Sequence, residues 1–201
     1  MLEGKGNGRL PRSFFARNTL DVARDLLGKR LVRIDHGRRL TGLIVETEAY
    51  RSEEDQGCHC RAGKTPRTEV MYGPPGFTYV YFVYGMHWLL NFVTEQEGFP
   101  GAVLLRALVP ERGKEVFAER RAGLPPERWM DGPAKLCQAL GVDGEDNGQD
   151  LCSERADLFV EEAFSPPPGS IERSARIGLN SVPEPWKSIP WRFMVDPDEL
   201  P

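Results

Sequence analysis

The stretch FTYVYFVYGMHWLLNFV, Phe77 to Val93, decides what kind of chain this is. It is apolar enough to raise the question of a membrane span. It is shorter than the roughly 20 residues a spanning helix needs, however, and it contains three tyrosines, a glycine and a histidine. Alternation fits better. Tyr79, Tyr81 and Val83 fall on one face of a strand, Val80, Phe82 and Tyr84 on the other, and Gly85 marks a turn. The reading is therefore two strands, Thr78 to Val83 and His87 to Val93, with Tyr84 where the chain turns and its ring free to project.

The same periodicity extends in both directions. Upstream, GLIVETEAY (42–50) belongs to a strand over about Leu40 to Tyr50, preceded by one over about Lys29 to Ile34, and HGRR (36–39) joins them as a hairpin. Before these, Asn18 is a helix N-cap, Leu20, Val22, Ala23, Leu26 and Leu27 form an apolar stripe, and Gly28 is a stop. Downstream come a strand over Ala102 to Leu108, a helix after Pro110, a helix through AKLCQAL after DGP (131–133), a loop at SPPPGS (165–170) and a last strand in WRFMV (191–195). This pattern predicts an α+β fold: one domain over residues 11–201, a mostly antiparallel sheet with helices around it, after a flexible tail over residues 1–10.

A chain of 201 residues with 40% hydrophobic content is long enough to bury a core. Its net charge of −4 argues against a protein that coats nucleic acid, though not against a local basic face. Four cysteines at irregular spacing do not make a disulfide scaffold, and a reducing compartment is the default. The N-terminus lacks the apolar run of a signal peptide, so the expectation is a soluble, cytoplasmic protein without a membrane partner.

Chemistry concentrates in GLIVETEAYRSEEDQGCHC, Gly42 to Cys60. Strict alternation puts Leu43, Val45, Thr47 and Ala49 on a core face, and Ile44, Glu46, Glu48 and Tyr50 on the other. Two carboxylates and a tyrosine then border the long loop from Arg51 to Gly76. Such a face is either solvated or the wall of a cleft in which one carboxylate is a general base. Cys58-His59-Cys60 invites a metal reading, but one residue between the cysteines is too few for a zinc ligand pair, and Cys137 and Cys152 supply no second pair. No metal or other cofactor is expected. Tyr84, beside a loop carrying Arg61, Lys64 and Arg67, suggests an aromatic wedge against stacked bases.

Together, IVETEAY, the histidine eleven residues past Glu48, TPR, YVYFVYGMHWLLN, AVLLRAL, GPAKLCQAL and ARIG resemble the alkyladenine (3-methylpurine) DNA glycosylase family, in order from Leu10 to Val195. The resemblance implies a fold similar to the C-terminal domain of methionyl-tRNA formyltransferase. It implies a monofunctional enzyme of base excision repair that flips alkylated or deaminated purines out of duplex DNA and hydrolyses the N-glycosidic bond. Carried over by position, Glu48 is the general base, and Arg106 with the backbone carbonyl of Ile177 holds the attacking water. Tyr50, His59 and Tyr81 sandwich the flipped base, Asn91 opposes the 2-amino group of guanine, and Tyr84 fills the gap in the stack. Arg61, Lys64, Arg67 and Lys135 are the candidate contacts to the DNA backbone. The implied partner is damaged double-stranded DNA, met by a monomer, cytoplasmic in a bacterium and nuclear in a eukaryote. The rivals are a non-catalytic nucleic-acid-binding module of the same fold and a bifunctional glycosylase/lyase, which needs an amine nucleophile. Glu46 has no role in this reading.

Overall fold

The computed structural model describes residues 8–167 and 169–200, so residues 1–7 of the expected tail lie outside the described residues. Of its remainder, Arg9 bridges to Glu161, and Leu10 is buried with its N–H donated to the Val160 carbonyl, 2.8 Å. The elements run α1 (Arg12–Phe15), α2 (Thr19–Asp25), β1 (Arg30–Asp35), β2 (Arg38–Arg51), β3 (Thr78–Val83), β4 (His87–Val93), β5 (Gly101–Arg112), α3 (Lys114–Arg120), α4 (Pro133–Leu140), β6 (Leu158–Glu161), β7 (Glu172–Ser174) and β8 (Arg192–Met194). Two short 3-10 turns, His59–Ala62 and Glu69–Tyr72, interrupt the long loop. The sheet order is β3-β4-β5-β2-β1-β6, with β8 paired to β2 and β7 to β8, every pair antiparallel. The expected α+β class and antiparallel sheet are both present.

Local chemistry accounts for the boundaries. The Asn18 side chain accepts from the Leu20 N–H, a cap worth about 1 kcal/mol. Val22, Ala23, Leu26 and Leu27 are fully buried. The β1–β2 hairpin turns on His36 and Gly37 alone, both left-handed, while Arg38 and Arg39 already pair with β1. The short strands β6 and β7 are too brief to announce themselves by periodicity.

β2 positions everything that follows. Its first half pairs with β1, its second half with β8 through Glu46, Thr47 and Glu48, and its other edge lies along β5. The β2–β5 register shifts on either side of Glu46, so that Val45 on β2 and Arg106 on β5 each stand without a direct partner. Such bulges re-aim side chains. They also correct the strict alternation expected for this strand. Ile44, assigned to the acidic face, joins the main core, and Leu43, assigned to the core face, does not. Beyond the bulge the assignment holds. Thr47 donates its hydroxyl to the Ala23 carbonyl of α2 at 2.8 Å, and Ala49 is in the core, so Glu46, Glu48 and Tyr50 face the other way. A second, smaller apolar cluster (Cys58, Cys60, Met71, Tyr79, Val93, Ala102) lies under the long loop and fastens it to the sheet. Among the described residues, no helix is long and apolar enough to cross a membrane.

Candidate active site

On the face opposite α2, β2, β3, β4 and β5 surround a cavity of about 380 Å³, closed by the long loop and by Ile177, Gly178 and Leu179. This volume is within the range of small-molecule sites. Glu48 lies behind three of its lining residues, Tyr50, Arg106 and Ile177, with no exposure to solvent. A charge so deeply buried is costly unless its oxygens are occupied, and both are. Oε1 accepts the Ile177 backbone N–H at 2.7 Å, and Oε2 accepts the Tyr50 hydroxyl at 2.8 Å. The Arg106 guanidinium stands 3.4 Å from Oε2. Burial pushes the Glu48 carboxyl above its ordinary range, and the Arg106 charge, the Ile177 N–H and the Tyr50 hydroxyl hold that rise in check. Glu46, two residues earlier on the same face, accepts from the Nε of Arg106 at 2.7 Å and the Nε of Arg192 at 2.5 Å.

The remaining walls are aromatic. His59 and Tyr81 meet edge to face with ring centroids 4.6 Å apart, so they form one continuous wall. His59 Nδ1 shares a 2.9 Å hydrogen bond with the Tyr79 hydroxyl. Burial, then the charges of Arg67 and Arg61, lower the His59 pKa to about 4, so the ring is neutral at pH 7. Tyr50 lines the same cavity from β2. Asn91 is buried in β4 and donates from Nδ2 to the Tyr79 carbonyl at 2.9 Å, which fixes its amide in the wall. The sulfurs of Cys58 and Cys60 meet as a disulfide that closes a small ring around His59, a pairing the irregular spacing did not foretell.

Tyr84 stands at the rim and is 89% exposed. Both it and Gly85 are left-handed, at φ 53° and 66°. That conformation is costly for a large aromatic residue and points to a functional use. Phe82 and Met86 are exposed beside it. Of the expected backbone contacts, Arg61 donates to the Gln56 carbonyl, Lys64 is exposed, and Arg67 lies 5.3 Å from the Tyr81 ring centroid. Lys135 pairs with Asp131 at 2.7 Å in the first turn of α4, where Pro133 and Ala134 line the cavity mouth.

One pair escaped sequence reading. Arg176 and Asp55 are both buried and joined twice, Nη1 to Oδ2 at 2.5 Å and Nη2 to Oδ1 at 2.7 Å. Arg176 also donates to the carbonyls of Ala49 and Trp186, and its guanidinium lies 4.6 Å from the Tyr50 ring centroid. It therefore backs one wall of the cavity while its neighbour Ile177 binds Glu48. Gly57 passes so close that a Cβ there would come within 2.9 Å of Arg176 and 2.7 Å of Leu179. An acid in a loop 121 residues from an arginine gives no periodic signal.

Comparison with known proteins converges on one family. The model of the methylpurine-DNA glycosylase family matches residues 13–199. Among curated proteins, one from Desulfitobacterium hafniense, called "Putative 3-methyladenine DNA glycosylase", is 46% identical over 197 residues, covering 94% of this chain and 95% of its own length. A protein of the same name from Carboxydothermus hydrogenoformans is 45% identical over 184 residues, covering 92% of this chain and 93% of its own. Another, from Anaeromyxobacter dehalogenans, is 46% identical over 186 residues, with 92% and 81% covered.

Proposed function

The chain belongs to the methylpurine-DNA glycosylase family, and from that premise we propose that it is a monofunctional 3-methyladenine DNA glycosylase that flips damaged purines into the cavity and hydrolyses their N-glycosidic bond. The observation that carries this reading is the carboxylate of Glu48, buried behind an aromatic cavity and held by Tyr50 on its own strand, Arg106 on β5 and the Ile177 N–H. A module that only bound nucleic acid would gain nothing from burying that charge. Hydrolysis uses it twice. Glu48 takes the proton of a water attacking C1′, and its negative charge stabilises the cation that develops on the sugar as the purine leaves. Arg106 and the Ile177 carbonyl are the water's further partners in this scheme.

The nucleobase stacks between Tyr50 on one side and the His59–Tyr81 wall on the other. An N-methylated purine is cationic, and an aromatic face attracts a cation by about 0.5–2 kcal/mol. The low pKa of His59 matters here, because a protonated imidazole would repel such a base. Asn91 limits what fits beside the 2-position of the purine. The partner is damaged duplex DNA, approached through Arg61, Lys64, Arg67 and Lys135. The enzyme acts as a monomer, and in a bacterium it acts in the cytoplasm. No lysine lines the cavity among the described residues, which favours direct hydrolysis over a Schiff-base route.

The test is single-turnover excision from duplexes carrying one 3-methyladenine, 7-methylguanine, hypoxanthine or ethenoadenine each, with borohydride added in parallel. Release of a free base without a trapped covalent adduct is expected. No release from any duplex, or efficient trapping, would overturn the reading.

Two predictions follow from the site. Replacing the exposed Tyr84 with serine removes stacking of about 1–3 kcal/mol, so excision should slow roughly 5- to 150-fold, by a similar factor for every paired lesion. The loss should be smaller at mispaired sites, which cost less to extrude. A loss confined to one lesion class would move Tyr84 into the pocket. The second concerns pH. The base must be ionised to work, and burial raises its pKa. Activity should therefore fall on acidification at a pH above that of an ordinary carboxylate, with the limb read from kcat under single-turnover conditions. A rate flat down to the ordinary carboxylate range would exclude Glu48 as the titrating base.

A further inference from the structure

Glu46 is left over by the mechanism, yet it is one of the better-connected side chains in the protein. It shares the acidic face of β2 with Glu48, is mostly buried, and its Oε1 receives two guanidinium N–H donors, from Arg106 on β5 and Arg192 on β8. Arg192 lies opposite Glu48 in the β2–β8 register and also donates to the Ser174 hydroxyl at 3.3 Å. Two carboxylates and two arginines thus form one balanced group behind the cavity.

Arginine presents its donors as a planar fork, and beside a lone carboxylate it closes a bidentate pair. That would be harmful at Glu48. A second strong donor on Oε2 would lower its basicity. In this structure the fork is turned. Its Nε is committed to Glu46, and Nη1 faces Glu48 at 3.4 Å without forming a hydrogen bond. The bulge that leaves Arg106 without a partner on β2 lets its side chain reach both acids.

We propose that Glu46 is a positioning residue: by holding Arg106 and Arg192 together it keeps the Arg106 fork from closing on Glu48, so that Glu48 keeps its basicity. The proposal rests on the reading of Glu48 as the general base. The other groups facing Glu48 are the Tyr50 hydroxyl on its own strand, the Ile177 N–H, and Tyr81 on β3. None of them competes for the Arg106 Nε.

The experiment compares Glu46→Gln, Arg192→Met, Glu48→Gln and the parent in single-turnover excision across pH, with lesion-duplex binding and thermal melting measured alongside. Glutamine at 46 keeps the shape but loses the charge that draws Arg106 away. The rate at neutral pH should drop roughly 10- to 100-fold while duplex binding holds, because part of the general-base contribution is lost. The acid limb should move down by about one pH unit, since Glu48 then faces an undivided positive charge. Arg192→Met should move the limb the opposite way, because one positive charge is removed and Glu46 keeps its grip on Arg106. A purely structural role would not produce shifts of opposite sign. If Glu46→Gln slows the reaction with the limb unmoved, or leaves both rate and limb unchanged, the positioning role is overturned. If Glu46→Gln fails to fold, Arg192→Met decides, and an unmoved limb there overturns it too. Should Glu48→Gln retain activity, the general-base reading itself has failed, which separates that failure from this one.

Discussion

Glu48→Gln is expected to eliminate base release, by about 10³-fold or more, while lesion-containing duplex still binds. General-base catalysis contributes roughly 10²–10⁴-fold, and stabilisation of the developing sugar cation adds to it. Glutamine preserves the volume; its Oε1 can still accept from the Ile177 N–H while its Nε2 donates to the Tyr50 hydroxyl oxygen, so the cavity should keep its shape. Removing a buried charge should not destabilise the fold, and the melting temperature should stay level or rise. The check is single-turnover excision beside a binding titration on the same duplex. Retained activity in Glu48→Gln with loss in Glu46→Gln would exchange the roles of the two acids.

The largest effect on stability is expected from Asp55→Ala. That change leaves the Arg176 guanidinium buried without its counter-charge, and breaking such a pair costs about 3–5 kcal/mol. For a chain of this size the melting temperature should fall by roughly 6–20 °C. Activity should fall as well, even at temperatures where the variant is folded, because Arg176 fixes the Tyr50 ring and precedes the Ile177 N–H that binds Glu48. Thermal unfolding followed by circular dichroism, with excision measured well below the transition, tests both parts. A melting temperature within a degree or two of the parent would mean that Arg176 finds other partners and that the pair carries little.

Much of the scaffold can be read from local pattern. The Asn18 cap, the stop at Gly28, the strands flanking Tyr84 and the helix after Gly132 all follow from turn chemistry and period, which act over a few residues. Alternation also brought Glu46, Glu48 and Tyr50 to one face. It failed at Leu43 and Ile44, where a bulge inserts an unpaired residue and reverses the parity. A bulge arises from how two strands meet, so one strand's sequence carries no trace of it.

By itself the sequence determined the mostly antiparallel sheet, the positions of its long strands along the chain, Tyr84 at its turn and the short motifs that mark the family. The tertiary structure alone decided which groups surround each acid. Glu48 is buried because Ile177, 129 residues away, closes over it. Glu46 is occupied because β8 joins the second half of β2 and brings Arg192 alongside. The Ile177 backbone N–H donates to Glu48, a contact no local pattern foretells. Period and capping describe a residue's neighbours along the chain. The basicity of a carboxylate depends on desolvation and on charges a few ångströms away, and which residues supply those is set only when distant strands pair.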